Sequence, residues 1–335
     1  MYYVNLNSQR QKMKLLLKYF VVLFSFFLFF SCEEEDKSKA EIDNIKIDLD
    51  VVRYDRLFAN VSKKSLPELK KNYPYMFAEQ YTDSFWINKL TDTLQLELEE
   101  EVDKQFGDFK QETEDIESLF KHFKYYFPGF KVPKLITVIS EVQYNNRIIV
   151  ADSLVLVGLD NYLGKEHRFY EGLPNYISKG LDKTYLASNI GSALAKKVNK
   201  YPRDRTFLSR MVYYGKELYL LDKLVPRAKD YQKINYTEDE LAWAFDNEEQ
   251  IWRYFVEQQL LYSTDSELDN RFLNPAPFSK FQLELDIESP GRLGRFMGWQ
   301  IVRAFMDNNP DLTPTQLLKT PPDVIFKKSN YKPKK

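Results

Sequence analysis

The chain has 335 residues, of which 48 are lysine or arginine and 49 are aspartate or glutamate, so its formal net charge is −1. This near-neutral balance, with both signs interspersed, lacks the basic surface that nucleic-acid binding requires. A single cysteine excludes a fold held by disulfide bonds within the chain. The aromatic and charged content, with few glycines, is that of a globular, helix-rich protein.

The first predicted element is a lipoprotein signal peptide, residues 1–31. Lys12, Lys14 and Lys18 precede an apolar run at residues 19–30, which is shorter than the roughly 20 residues of a membrane-spanning helix. The only cysteine, Cys32, directly follows Ser31. We therefore predict that cleavage leaves Cys32 as the first residue of the mature chain, carrying a diacylglycerol on its thiol.

An acidic segment follows Cys32. Residues 33–36 read Glu-Glu-Glu-Asp, and two interpretations remain open: a flexible tether, or a surface-export signal like that of lipoproteins in the Bacteroidetes phylum. They place the protein on different faces of the outer membrane. We predict a lipidated acidic tether at residues 32–44 and a single globular domain at residues 45–335.

The first half of that domain is predicted to be a strand followed by helices. Partial alternation at residues 45–58 indicates a strand, and a short helix should begin at Leu66. Asp83 is a candidate cap for a helix whose apolar residues lie four apart, at Trp86, Leu90, Leu94, Leu98 and Val102. A further helix should bury Ile116, Leu119, Phe120, Phe123 and Phe127 and end at residues 128–129.

The second half is predicted to begin with strands and continue as helices. Residues 134–142 and 147–159 are rich in β-branched residues and are separated by four polar residues, which favours an antiparallel hairpin. Helices are predicted at residues 185–198, 205–224, 237–262, 290–308 and 313–319. The fold class is therefore α+β, predominantly helical with a small antiparallel sheet.

The last long helix has a pattern of its own. Ser289 is a candidate N-cap and Pro290 a first-turn residue. Glycines at 291, 294 and 298 share one face and cost about 1 kcal/mol each relative to alanine, so we expect a close backbone approach there. Arg292, Arg295, Trp299 and Arg303 flank this face and are either surface residues beside a packing seam or binding residues.

Few residues here could carry catalysis. The two histidines, His122 and His167, occur singly, and both are predicted to be structural or surface residues. Motifs for zinc, phosphate-loop, dinucleotide and serine-hydrolase sites do not occur in the sequence. We predict no enzyme activity, no metal and no cofactor.

Seven blocks, in order along the chain, resemble the family of gliding-motility lipoproteins typified by GldB of flavobacteria. They read FAEQYTDSFWINKLTDTLQLEL (77–98), HFKYYF (122–127), ADSLVLVGLDNYLG (151–164), RTFLSRMVYYGKELYLLDKLVP (205–226), EEQIWRYF (248–255), NPAPFSKF (274–281) and ESPGRLGRFMGWQIVR (288–303). The resemblance implies a membrane-anchored lipoprotein required for gliding, in organisms that couple this motility to type IX secretion.

The family is also distantly similar to predicted zinc peptidases, in which one helix carries H-E-x-x-H and a second supplies a glutamate ligand. That resemblance implies a degenerate zincin-like scaffold, since Ser188, Asn189 and Ser192 occupy the first motif and Tyr214 the glutamate position. None of these is a customary zinc ligand.

Two charged residues, Lys216 and Glu217, interrupt the apolar helix that contains Tyr214 and invite a pairing or binding role. We therefore predict that a cleft retained without chemistry binds a peptide or partner segment. The expected partners are membrane lipid, through Cys32, and other gliding or type IX secretion proteins, at the outer membrane. An envelope hydrolase with an unrecognised site, and a glycan- or peptide-binding module suggested by the aromatic residues at 201–262, are the alternatives.

Overall fold

The computed structural model describes residues 38–334. The predicted signal peptide and the lipidation site at Cys32 lie outside these residues. The described residues fall into two units, which divide between Ile47 and Asp48. In the first unit, residues 38–43 are helical, and the elements below belong to the second. Within the described residues, no helix combines the length and apolarity needed to cross a membrane.

A four-stranded mixed sheet, in the order β1-β2-β4-β3, lies in the first half of this unit. Its strands are β1 Val51–Arg53, β2 Lys134–Val138, β3 Ile148–Val150 and β4 Leu154–Gly158. β2 pairs in parallel with both β1 and β4, and only β3 and β4 pair antiparallel. The predicted hairpin between residues 134–142 and 147–159 is therefore wrong. The second run instead folds back on itself as β3 and β4.

Five helices connect β1 to β2. They are α1 Tyr54–Ala59, α2 Leu66–Asn72, α3 Asp83–Lys89, α4 Thr93–Phe106 and α5 Lys110–Tyr126. The strand predicted at residues 45–58 is limited to β1, because the chain turns into α1 immediately after Arg53. The helix at Leu66 and the buried face of α5 are confirmed, with Ile116, Leu119 and Phe120 fully buried.

The helix expected to start at Asp83 is interrupted after Leu90. Asp92 begins a new helix by accepting a hydrogen bond from the Gln95 backbone N–H, which is the usual N-cap interaction. The prediction that residues four apart form one continuous helix face is therefore wrong. Trp86 packs in an aromatic cluster with Tyr54, Phe58 and Phe77, whereas Leu98 and Val102 belong to α4 and are buried elsewhere.

Ten helices make up the rest of the fold. They are α6 Asn175–Ser178, α7 Leu186–Val198, α8 Phe207–Leu224, α9 Asp230–Ile234, α10 Glu238–Asp246, α11 Glu248–Glu257, α12 Glu267–Phe272, α13 Leu293–Asp307, α14 Pro314–Lys319 and α15 Pro322–Ser329. The prediction of an α+β, predominantly helical fold is confirmed. The helix expected at 237–262 is two helices separated at Asn247, and α6, α9, α12 and α15 were not predicted.

Helices α8 and α13 form the centre of this helical region, and α7, α9, α14 and α15 pack around them. Most of α8 is buried on all sides, as expected of a central helix. The start of α13 differs from the prediction. Arg292, in the left-handed conformation with φ 65°, is the N-cap residue. Ser289 instead uses its hydroxyl to bridge the loop, donating to the backbone oxygens of Asp286 and Ser279.

Candidate binding cleft

A cleft of about 320 Å³ lies where α7, α8 and the first turn of α13 meet. Four of the residues proposed from the sequence line it: Tyr214, Glu217, Arg292 and Arg295. Asn189 and Ser192, which the predicted resemblance to zinc peptidases aligns with two positions of the H-E-x-x-H motif, line it as well. A larger groove of about 590 Å³, near the end of α5, is mainly apolar and contains none of the proposed residues.

Glycines hold two walls of this cleft, α8 and α13, against each other. A Cβ on Gly298 would lie 2.5 Å from the carbonyl carbon of Met211 and closer still to its oxygen. A Cβ on Gly215 would lie 2.9 Å from the backbone nitrogen of Trp299. Real Cβ atoms do not approach within 3.0 Å, so only glycine allows this crossing. The close backbone approach expected from the glycine pattern is confirmed.

The crossing brings Arg295 over the ring of Tyr214. The guanidinium carbon lies 3.8 Å from the ring centroid, which is a favourable cation–π geometry. Arg295 Nε also donates a hydrogen bond to the backbone oxygen of Leu273 at 2.5 Å. These two contacts fix the orientation of the guanidinium plane at the edge of the cleft.

Two further arginines line the cleft beside Arg295. Arg292 donates to the backbone oxygen of Asn235 at 2.7 Å, and Arg147, which precedes β3, donates to Asn189 Oδ1 at 3.1 Å. Burial, together with the charges of Arg295 and Arg147, lowers the pKa of Arg292 to about 10. Arg292 therefore lies close enough to Arg295 and Arg147 to be repelled by both.

None of these three arginines makes an ion pair with a described carboxylate, although the charge of Glu240, which pairs with Lys179, acts on Arg292 from farther away. In the part of the chain that the structure describes, no carboxylate lies within 4.0 Å of the guanidinium nitrogens of Arg147, Arg292 or Arg295. Lys233, another cleft residue, is by contrast neutralised by Asp222 and Asp230, each with a carboxylate oxygen 2.9 Å from its Nζ. The cleft thus contains three positive charges without an ion-pair partner.

Glu217 is the one acidic side chain that lines the cleft in the described structure. Its Oε1 accepts a hydrogen bond from the Ser192 hydroxyl, and Lys196 Nζ lies 3.9 Å away from the same oxygen. Its Oε2 is buried and makes no hydrogen bond with any described residue. A buried carboxylate oxygen without a partner is costly and is a candidate acceptor for a ligand.

The other two proposed binding residues lie outside the cleft. Lys216 points to the C-terminal end of α14, where Nζ donates to the backbone oxygens of Leu318 and Thr320 at 3.2 and 2.7 Å. Burial lowers its pKa to about 8. Trp299 is fully buried and donates from Nε1 to Asp222 Oδ2 at 2.9 Å. Both residues have structural partners that account for their positions.

The structure also adds residues that the sequence did not indicate. Arg147 lies between two strand-like segments, and Asn235 follows a five-residue helix, so neither stands in a recognisable motif. Arg147 reaches the cleft because β3 packs against α7. No group of three or more histidine, cysteine, aspartate or glutamate side chains within residues 38–334 is arranged to hold a metal ion.

A family model described as "Gliding motility protein GldB" matches residues 35–333 of the chain. The match therefore covers all of the helical region and the sheet, including every residue of the cleft. No curated protein and no solved structure matches the chain. The predicted similarity to zinc peptidases, and with it the zincin-like scaffold, stays a prediction.

Proposed function

The chain belongs to the GldB family of gliding motility proteins, and we propose that it acts in gliding by binding a segment of another envelope protein in the cleft. The observation that carries this proposal is the convergence of Tyr214, Glu217, Arg292 and Arg295 on one cavity. These residues come from distant parts of the chain, and they offer fixed hydrogen-bonding groups to a ligand. In this proposal the protein is not an enzyme, and its partner belongs to the gliding or type IX secretion apparatus.

We further propose that Cys32 anchors the protein in the outer membrane. The label of the matching family refers to lipoproteins, which agrees with the signal pattern that ends at Cys32. One acyl chain alone binds membranes only marginally, whereas several chains hold a protein firmly. A fully acylated Cys32 would therefore keep the cleft within reach of other membrane-bound components.

The cleft can be tested by filling it without changing its charge. Ala193 lies on α7 and lines the cleft, so a tryptophan there would occupy part of the cavity. We expect cells that carry Ala193→Trp in place of the natural gene to stop gliding while the protein level is unchanged. Ala187→Trp, on the same helix but outside the cleft, is the matched control and should glide normally. Normal gliding of the Ala193→Trp cells would refute the cleft as the working surface.

One contact favours the alternative of a hydrolase. A carboxylate that accepts the proton of a serine hydroxyl is one way to activate a nucleophile, and Glu217 accepts from Ser192 in this cleft. Ser192→Ala separates the two functions, because it removes the nucleophile but leaves the shape of the cleft. Loss of gliding with Ser192→Ala, together with loss of hydrolysis of an envelope peptide or glycan, would establish the enzyme. Unimpaired gliding would support non-catalytic binding.

A further inference from the structure

The lining of the cleft is strongly asymmetric in charge. Five basic residues and one acidic residue line it: Arg147, Lys196, Lys233, Arg292, Arg295 and Glu217. Lys233 is compensated by aspartates and Lys196 lies beside Glu217. What remains are the three arginines without an ion pair, which we call the arginine triad: Arg147, Arg292 and Arg295.

The triad is held in place by groups that leave most of its donors unused. A guanidinium has five N–H donors, and each of the three makes one described hydrogen bond, to Asn189, Asn235 and Leu273 respectively. The acceptors are an amide and two backbone carbonyls, so they orient the guanidiniums without neutralising them. Partly buried positive charges of like sign favour binding of an anion, since attraction to the anion and the hydrogen bonds to it offset the repulsion and the desolvation cost.

We propose that the arginine triad binds a carboxylate of an acidic peptide segment, either an aspartate or glutamate side chain or a chain terminus. Arginine forks match the two oxygens of a carboxylate through paired hydrogen bonds. This inference rests on the proposed function of the cleft as a binding site, and it specifies the chemistry of the ligand.

Glu217 decides between a peptide and a phosphate ligand. Its buried Oε2 requires a hydrogen-bond donor, and a phosphate placed nearby would add negative charge and few donors. A peptide offers main-chain N–H groups close to its carboxylates. The pairing of an unsatisfied acceptor with an arginine group therefore fits a peptide segment better than an inorganic anion.

The test is a binding measurement on the full chain in detergent micelles. The probes are fluorescein-labelled peptides of eight residues, one with alternating glycine and aspartate and one with alternating glycine and asparagine. We expect the aspartate peptide to bind at least tenfold more tightly and to weaken with added salt. Arg295→Gln, Arg292→Gln and Arg147→Gln should each weaken its binding by about tenfold or more, because each removes hydrogen bonds to a charged group.

Controls separate a local effect from a general loss of charge or fold. Arg227→Gln makes the same charge change at an exposed arginine outside the cleft and should leave binding unchanged. Arg295→Lys keeps the charge and should lose less affinity than Arg295→Gln. Circular dichroism melting curves identify any variant that fails to fold. If the helix variants Arg292→Gln or Arg295→Gln do not fold, the change in peptide affinity is measured with Arg147→Gln, because Arg147 lies in a loop.

Three results would overturn the acidic-peptide proposal. These are equal binding of the two peptides, insensitivity of the aspartate peptide to all three triad variants, and binding of inorganic phosphate at the triad without binding of the aspartate peptide. The broader proposal, that the cleft is the binding surface used in gliding, is tested by a different variant. If Ala193→Trp abolishes gliding but the triad variants glide normally, the cleft remains the working surface and only the acidic ligand is wrong.

Discussion

Replacing Gly298 with alanine tests the backbone contact that joins α8 to α13. The new Cβ would lie 2.5 Å from the carbonyl carbon of Met211, whereas ordinary van der Waals contact begins at 3.4 Å. The two helices must therefore separate by at least about 0.9 Å, the difference between these distances, because the Met211 oxygen lies closer still and backbone atoms cannot rotate away as a side chain could. Overpacking costs about 1–3 kcal/mol.

Two opposing terms set the expected size of this effect. Alanine returns up to about 1 kcal/mol through its helix preference, but the separation also loosens fully buried neighbours such as Trp299 and Phe296. We expect a net loss of about 2 kcal/mol in the free energy of unfolding. Urea denaturation followed by far-ultraviolet circular dichroism measures it.

Gly129→Ala is the matched control for this experiment. A Cβ at Gly129 meets no atom within 4 Å, so we expect a change within about 0.5 kcal/mol. If Gly298→Ala proved as stable as Gly129→Ala, the helices would not approach as closely as described, and the explanation of the glycine pattern would be refuted.

Three further predictions concern buried charges and the anchor. Burial lowers the pKa of Lys216 in the folded protein to about 8, whereas a lysine in the unfolded chain has a pKa of about 10.4. Between these two pH values the unfolded chain therefore binds more protons than the folded protein. The free energy of unfolding of the wild type, relative to Lys216→Met, should therefore rise by about 2 kcal/mol from pH 7 to 9.5 in urea titrations; parallel pH curves would contradict this. Asp222→Asn should destabilise the fold by about 2 kcal/mol, because it removes the charged acceptor of Trp299 and one of the two carboxylates that Arg303 and Lys233 share, leaving only Asp230. The exposed Asp323→Asn should have little effect in the same titration, and equal stability of the two variants would argue against a cooperative charge cluster. Cys32→Ala should move the protein from the membrane to the soluble fraction with an unchanged melting curve; retention in the membrane fraction would contradict lipid anchoring.

Local patterns in the sequence predicted the local features of the fold. The buried face of α5 follows from apolar residues at helical spacing, and the glycines of α13 indicated the close contact with α8. These predictions succeed because one helix face or one helix crossing is encoded by a few neighbouring residues. The four-residue spacing from Trp86 to Val102 predicted one helix where the structure has two, for a related reason. It continues across a break that Asp92 creates, and periodicity alone does not register a new N-cap.

Long-range pairing could not be predicted in the same way. β1 pairs with β2 across a connection that contains five helices, and no turn residues mark such a partner. The cleft shows the same limit. Glu217, Arg292 and Arg295 could be singled out because they interrupt or flank helical patterns, and Tyr214 because of the resemblance to zinc peptidases. Arg147 joins them only through the packing of β3 on α7.

The pairing of α8 with α13 also sets the order in which the protein can assemble. Trp299 and its partner Asp222 are 77 positions apart, and α15, near the end of the described chain, packs on both helices. Contacts of such separation form slowly, because the intervening chain must be ordered first. Arg292 and Arg295 can therefore meet Tyr214 only once the chain up to Arg295 is available, so the cleft is completed late in folding.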